Sequence, residues 1–152
     1  MRNVGPPEYH EGSRSDSAAR QCPRAASELG FTLVLERIDH VQLAMPAGGE
    51  DVARTFYVDI LGFTEREKPP ELAKRGGVWF QRGEIAVHLG VEDPFAPAKK
   101  AHPAFRCANY DRFLEHLAAN GVAVRADDLP FDGKRHGYLD DPFGNRLELI
   151  DL

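Results

Sequence analysis

Before Leu29 the chain has hardly any large aliphatic residue, and its Gly5-Pro6-Pro7 and Ser13-to-Ala19 stretches are small or polar. Such a composition cannot offset its ordering entropy by burial, so residues 1–30 are expected to form a flexible tail ahead of a domain at 31–152. An apolar signal core is missing there, and Glu8, Glu11, Asp16 and Glu28 speak against an organelle transit peptide. Cysteine is scarce. Cys22 and Cys107 lie far apart without metal-type spacing, which excludes a disulfide framework and leaves free thiols, as expected of a cytoplasmic protein. No apolar run approaches the roughly 20 residues of a membrane span. Lysine and arginine are scattered and the formal net charge is -5, so a nucleic-acid footprint is absent. The sequence has no Gly-rich phosphate loop, no Ser-His-Asp order and no reactive-cysteine setting.

What is present suits one domain of α+β class: 152 residues, 42% hydrophobic and 28% charged. Arg37 to Met45 alternates like a strand with one mixed face, and Pro46-Ala47-Gly48-Gly49 breaks it. Val52, Ala53, Phe56, Tyr57, Ile60 and Leu61 then recur at helical spacing over 50–61, with Gly62 as the stop. Short strands follow at 63–67 and 77–81, a turn at Arg82-Gly83, and a strand at 84–90. After the proline-containing linker at 92–100 the order begins again. It runs through a strand at 102–107, a helix from an Asn109 cap to Asn120-Gly121, short strands at 122–124 and 136–140, the Asp141-to-Asn145 turn, and a closing strand.

Strand, helix, strand, strand, strand thus occurs twice, in modules at about 36–91 and 101–152. His40 and His102 open the two units 62 residues apart, and His88 and Glu148 occupy the closing strands 60 apart. By strand parity each points away from the aliphatic side of its strand. Two such units about a local two-fold would bring the four to one concave surface. Three imidazoles and a carboxylate suit a divalent transition metal (Fe, Ni, Zn, Co or Mn), where Mg or Ca would want oxygen alone. Taken singly, each residue has a plainer reading as a solvated or hydrogen-bonded side chain, and Glu148 could pair with Arg146.

Residues 37–151 resemble the vicinal oxygen chelate superfamily, which includes glyoxalase I, methylmalonyl-CoA epimerase, extradiol dioxygenases, fosfomycin-resistance transferases and bleomycin-binding proteins. The resemblance rests on Ile38-Asp39-His40-Val41, Tyr57-Val58-Asp59-Ile60-Leu61-Gly62-Phe63, His102-Pro103-Ala104-Phe105 and Asp141-Pro142-Phe143-Gly144-Asn145-Arg146-Leu147-Glu148. It implies two βαβββ modules forming a cup-shaped mixed sheet with helices outside, a metal held by the first and last strands of each module, and substrates that chelate through neighbouring oxygens. His40, His102 and Glu148 fall on the usual ligand positions. His88 departs from them, because relatives carry Glu or Gln there.

Around this set, Arg106 and Arg146 share the face of His102 and Glu148 and could bind an anionic substrate group, or pair with neighbouring acids. His136 and Tyr138 alternate on one face of the seventh strand, where a histidine can exchange protons or simply be solvated. Trp79 can line an apolar pocket wall. The expected function is a metal-dependent glyoxalase- or dioxygenase-like enzyme acting on a small molecule through vicinal oxygens, with Glu148 and His136 as catalytic candidates. Three donors would suit iron dioxygenation, and His88 as a fourth favours lyase, isomerase or epimerase chemistry. The alternative is a non-catalytic drug-binding protein of the bleomycin-resistance type. Association into a homodimer through the exposed sheet edges is expected, with the modules paired within one chain or across two.

Overall fold

Each half of the chain builds a four-stranded mixed sheet because its first and last strands run parallel while the strands between them form antiparallel hairpins. The computed structural model describes residues 35–152, and Arg37–Leu152 form one unit. The tail at 1–30 and Cys22 lie outside the described residues. Module one contains β1 (Val41–Met45), α1 (Glu50–Arg54), β2 (Thr64–Arg66), the single-turn α2 (Pro70–Ala73), β3 (Val78–Arg82) and β4 (Ile85–Val91). Module two contains β5 (Ala104–Cys107), α3 (Tyr110–Ala119), β6 (Arg125–Ala126), β7 (His136–Asp140) and β8 (Arg146–Asp151). The sheet orders are β1-β4-β3-β2 and β5-β8-β7-β6, the same arrangement twice, which is the expected pair of βαβββ modules.

Several boundaries differ from the sequence reading for physical reasons. The first strand begins at Val41 rather than Arg37, because pairing with β4 starts at Val41↔Val87 and Ile38 stays exposed. The helix after it continues as a π-helix over Thr55–Ile60, its wider turn closed by Leu61 N–H to the Phe56 carbonyl at 2.9 Å, and Val52 is left exposed. The hairpin turn is Gly83-Glu84, closed by Arg82 against Ile85. Asn109 precedes α3 in the left-handed region at φ 56 and makes no side-chain cap. No strand forms at 122–124. Gly121 N–H bonds to the Ala118 carbonyl at 3.0 Å and Val122 N–H to that of Leu117 at 2.9 Å, so Val122 closes the helix end in a Schellman motif and β6 starts at Arg125.

The two modules share one core. Phe56, Tyr57, Phe80, Val87 and Leu89 from the first meet Tyr110, Leu117, Leu139, Leu147 and Leu149 from the second, each worth about 1.5–3 kcal/mol when fully buried. At their junction lies the buried carboxylate of Asp141. Its Oδ2 accepts from the Tyr57 hydroxyl at 3.0 Å and Asn145 Nδ2 at 2.8 Å, and its Oδ1 accepts from the backbone N–H groups of Phe143 at 2.9 Å and Asn145 at 2.8 Å. Asn145 Nδ2 also donates to the Ala44 carbonyl on β1 at 2.8 Å. Burial pushes the Asp141 carboxyl up, opposed by Asn145, Tyr57 and Phe143, and pushes the Tyr57 phenol well above its ordinary range, so Tyr57 remains a donor. Gly144 completes the turn at φ +87, where a side chain would be strained.

Replacing Asp141 by Ala strands the Tyr57 hydroxyl and the Asn145 amide. It should lower unfolding free energy in urea by about 3 kcal/mol or more. Asp140→Ala, which loses only the exposed pair with Arg125, should cost less than about 1 kcal/mol.

Candidate metal centre

His40 and His102 both lie just ahead of their strands, and the repeat is regular there. His40 is two residues before Gln42, which pairs with His88; His102 is two residues before Ala104, which pairs with Glu148. The register of β3 and β4 fixes the side to which His88 points. Trp79 stands opposite His88, while Val87 and Leu89 point into the core.

In module one the His40 and His88 rings stack at 4.1 Å between centroids and 21°, and Trp79 stacks on His88 at 4.1 Å and 8°. Two near-parallel rings at that distance must occupy opposite faces, so His88 is held between an indole and an imidazole. Phe80, next to Trp79, is core. His40 Nδ1 lies 2.8 Å from Asp39 Oδ1. With Nδ1–H directed at that carboxylate, Nε2 is left as the lone-pair nitrogen. The His40 bond holds the Asp39 carboxyl below its ordinary value, and burial followed by the nearby His40 lowers His88, keeping its imidazole neutral and suited to ligation.

Module two holds a denser arrangement. Glu148 is only 8% exposed, with Oε2 at 3.1 Å from His102 Nε2 and Oε1 at 2.7 Å from His136 Nδ1. Each histidine is anchored from behind: His102 Nδ1 at 2.7 Å from the Lys100 carbonyl, and His136 Nε2 at 2.7 Å from that of Leu129. A carbonyl can only accept, so His102 donates from Nδ1, and its Nε2 faces a carboxylate oxygen. An unprotonated nitrogen and a carboxylate oxygen conflict unless a second imidazole proton or a cation sits between them. His136 resolves the same conflict with a proton, because the Leu129 carbonyl first and Glu148 next raise its pKa above the ordinary value. At 6% exposure it is not the solvated surface histidine of the plainer sequence reading. Tyr138, opposite Glu148 in register, sets its ring edgewise against His102 at 5.5 Å and His136 at 5.6 Å. Arg146 does not pair with Glu148; its guanidinium lies over the Tyr138 ring at 5.3 Å.

The four expected ligands are therefore brought together as two pairs, His40 with His88 and His102 with Glu148. Among the described residues no three His, Cys, Asp or Glu side chains are grouped to hold a metal. Between β1 and β5, both end strands of their sheets, runs an open groove of about 1090 Å³ lined by His40, Gln42, Ile85, His102 and Arg106. Arg106 is exposed there and makes no ion pair among the described residues. The sequence reading missed Asp39 and the Lys100 and Leu129 carbonyls as anchors. Asp39, adjacent to a candidate ligand, was legible; backbone carbonyls carry no residue-type signal.

Two mixed four-stranded sheets built as repeated modules, with ligand-type side chains at matching positions just ahead of their first strands and on their last strands, define a glyoxalase-type fold. The profile of the Glyoxalase/Bleomycin resistance protein/Dioxygenase superfamily matches residues 37–149, and the chain belongs to that superfamily. It is 30% identical over 132 residues to the uncharacterized protein YaeR of Escherichia coli (strain K12), covering 78% of this chain and 98% of YaeR. The crystal structure of a glyoxalase family protein from Bacillus anthracis is similar at 45% identity and a TM-score of 0.76, covering 80% of this chain and 98% of that one. Lactoylglutathione lyase from Agrobacterium tumefaciens, at 24% identity and a TM-score of 0.54 over 72% of this chain and 90% of its own, shares the fold. The superfamily includes enzymes and binds small molecules, and no helix among the described residues is long and apolar enough to cross a membrane.

The proton assignment at His136 is measurable. In metal-free protein, nitrogen-15 NMR should show His136 titrating above the ordinary 6.5, and Glu148→Gln should lower its pKa. A His136 that titrates at or below the ordinary value contradicts the assignment.

Proposed function

We propose that the protein is a metal-dependent enzyme of the glyoxalase type, holding a divalent transition metal (Fe, Ni, Zn, Co or Mn) through His40, His88, His102 and Glu148 and acting on a small molecule that presents vicinal oxygens. The observation that carries this reading is the His102–Glu148 contact, where an imidazole nitrogen faces a buried carboxylate oxygen at 3.1 Å. A borderline cation bound by nitrogen and oxygen matches that donor set. The pair from module one has the same character, with a neutral His88 beside a His40 backed by Asp39.

Both pairs belong to strands next to the open groove, which supports a homodimer in which the first module of one copy meets the second module of the other. A two-fold axis between copies would set β1 beside β5 of the partner twice, covering both free edges and completing two equivalent sites. With four protein donors the reading favours lyase or isomerase chemistry over dioxygenation.

The residues have separable tasks. The metal supplies Lewis-acid polarisation of the substrate oxygens when bound. Glu148 is the acid of the set: Oε1 stays fixed by His136, while Oε2 would hold the cation or, when not so held, take a proton from substrate. His136 holds the reserve proton at Nδ1, and Tyr138 fixes the planes of both module-two imidazoles. Trp79 fixes His88 and presents an apolar wall to the substrate.

Freshly purified protein should contain close to one transition-metal ion per chain. His102→Ala and Glu148→Gln should each weaken its binding at least tenfold, with the metal-free melting temperature changing much less for Glu148→Gln. A folded wild type that stays metal-free at saturating Fe, Ni, Zn, Co and Mn contradicts the proposal and returns the protein to the small-molecule-binding alternative.

A further inference from the structure

Arg146 lies on β8 two residues before Glu148 and on the same face of the sheet. Directly across from it is Asp140, the cross-strand partner that simple charge pairing would assign to it. Both oxygens of Asp140 are instead held by Arg125, at 3.0 Å each. Glu148, the next acid on that face, is engaged by His102 and His136. Arg146 is left without an ion pair among the described residues, and its Nε is buried with no hydrogen-bond partner. A buried N–H without an acceptor is uncommon in folded proteins, and it sits here on the strand that carries the candidate metal donor. The guanidinium is permanently charged, its plane is supported by the Tyr138 ring, and its two Nη groups, which are not buried, form an end that matches the two oxygens of a carboxylate.

We propose that Arg146 is the anion-recognition residue of this site, and that the substrate is a small oxygenated acid whose carboxylate lies about 7 Å from its chelating oxygens, two residues' rise along a strand. The chelating end of this assignment rests on the proposed metal centre. The carboxylate end rests on Arg146 alone. Asp140 serves the site by binding Arg125 and so leaving Arg146 free for the ligand.

Two probes that differ by one carboxylate separate the claims: 3,4-dihydroxybenzoate and catechol, with inorganic phosphate as a third. In the metal-free full-length protein, the Arg146 Nε–H resonance, assigned by its loss in Arg146→Lys, should move on addition of 3,4-dihydroxybenzoate and stay in place with catechol. In the nickel-loaded protein, calorimetry should find 3,4-dihydroxybenzoate bound roughly tenfold to a hundredfold more tightly than catechol, and Arg146→Lys should abolish that preference while retaining catechol affinity. An Nε–H unmoved by 3,4-dihydroxybenzoate, or a preference that survives in Arg146→Lys, overturns the proposal. A response to phosphate with none to 3,4-dihydroxybenzoate overturns the carboxylate assignment. Failure to load nickel or any other metal sinks the metal centre instead, and the Nε–H response then decides on Arg146 by itself.

Discussion

Four donors converge on the two oxygens of Asp141, and the placement of the candidate site follows from that buried carboxylate. The Tyr57 hydroxyl brings the first module's helix to it, and Asn145 carries the contact on to the β1 carbonyl of Ala44. Phe143 and Asn145 N–H groups wrap the turn around the same acid. One buried group thereby joins the modules and sets the register of β7 against β8. That register places Tyr138 opposite Glu148 and leaves Leu147 and Leu149 for the core. A slip of one residue would exchange the carboxylate for a leucine.

The consequence at Glu148 is electrostatic. Buried acids need compensation, and this one faces two imidazoles whose far nitrogens are committed to carbonyls. His136 answers with a proton, and at His102 a second proton or a cation can do the same. The unresolved side of Glu148 is the side that a metal ion would occupy. The same strand positions in the first module carry His88 and, two residues before the register partner of His88, His40. Repetition of the module thus accounts for a donor set that no short sequence motif encodes.

Much of this was legible from residue order. The doubled element pattern, the matched spacing of His40 with His102 and of His88 with Glu148, and the turn at Asp141-to-Asn145 all appear in the fold as read. What escaped was either backbone geometry or choice among partners. The π-helical run at Thr55–Ile60 and the Schellman closure at Val122 depend on which carbonyl each N–H reaches, and 3.6-residue periodicity does not separate those alternatives. Arg146 had two acids within plausible reach, and only the structure shows Asp140 with Arg125 and Glu148 with histidines. His136 looked like a surface residue because the segment that buries it, around Leu129, contributes a carbonyl rather than a recognisable side chain.

The central claim is that two copies assemble each metal centre, the first module of one chain with the second module of another. Mixing His40→Ala protein with Glu148→Gln protein, after reversible subunit exchange, tests it most directly by metal titration. The account predicts that neither variant alone binds metal tightly, and that mixed dimers regain one tight site, formed by the intact first module of the Glu148→Gln chain and the intact second module of the His40→Ala chain. Variants that exchange subunits yet regain no tight binding would contradict shared sites and return the centre to a single chain.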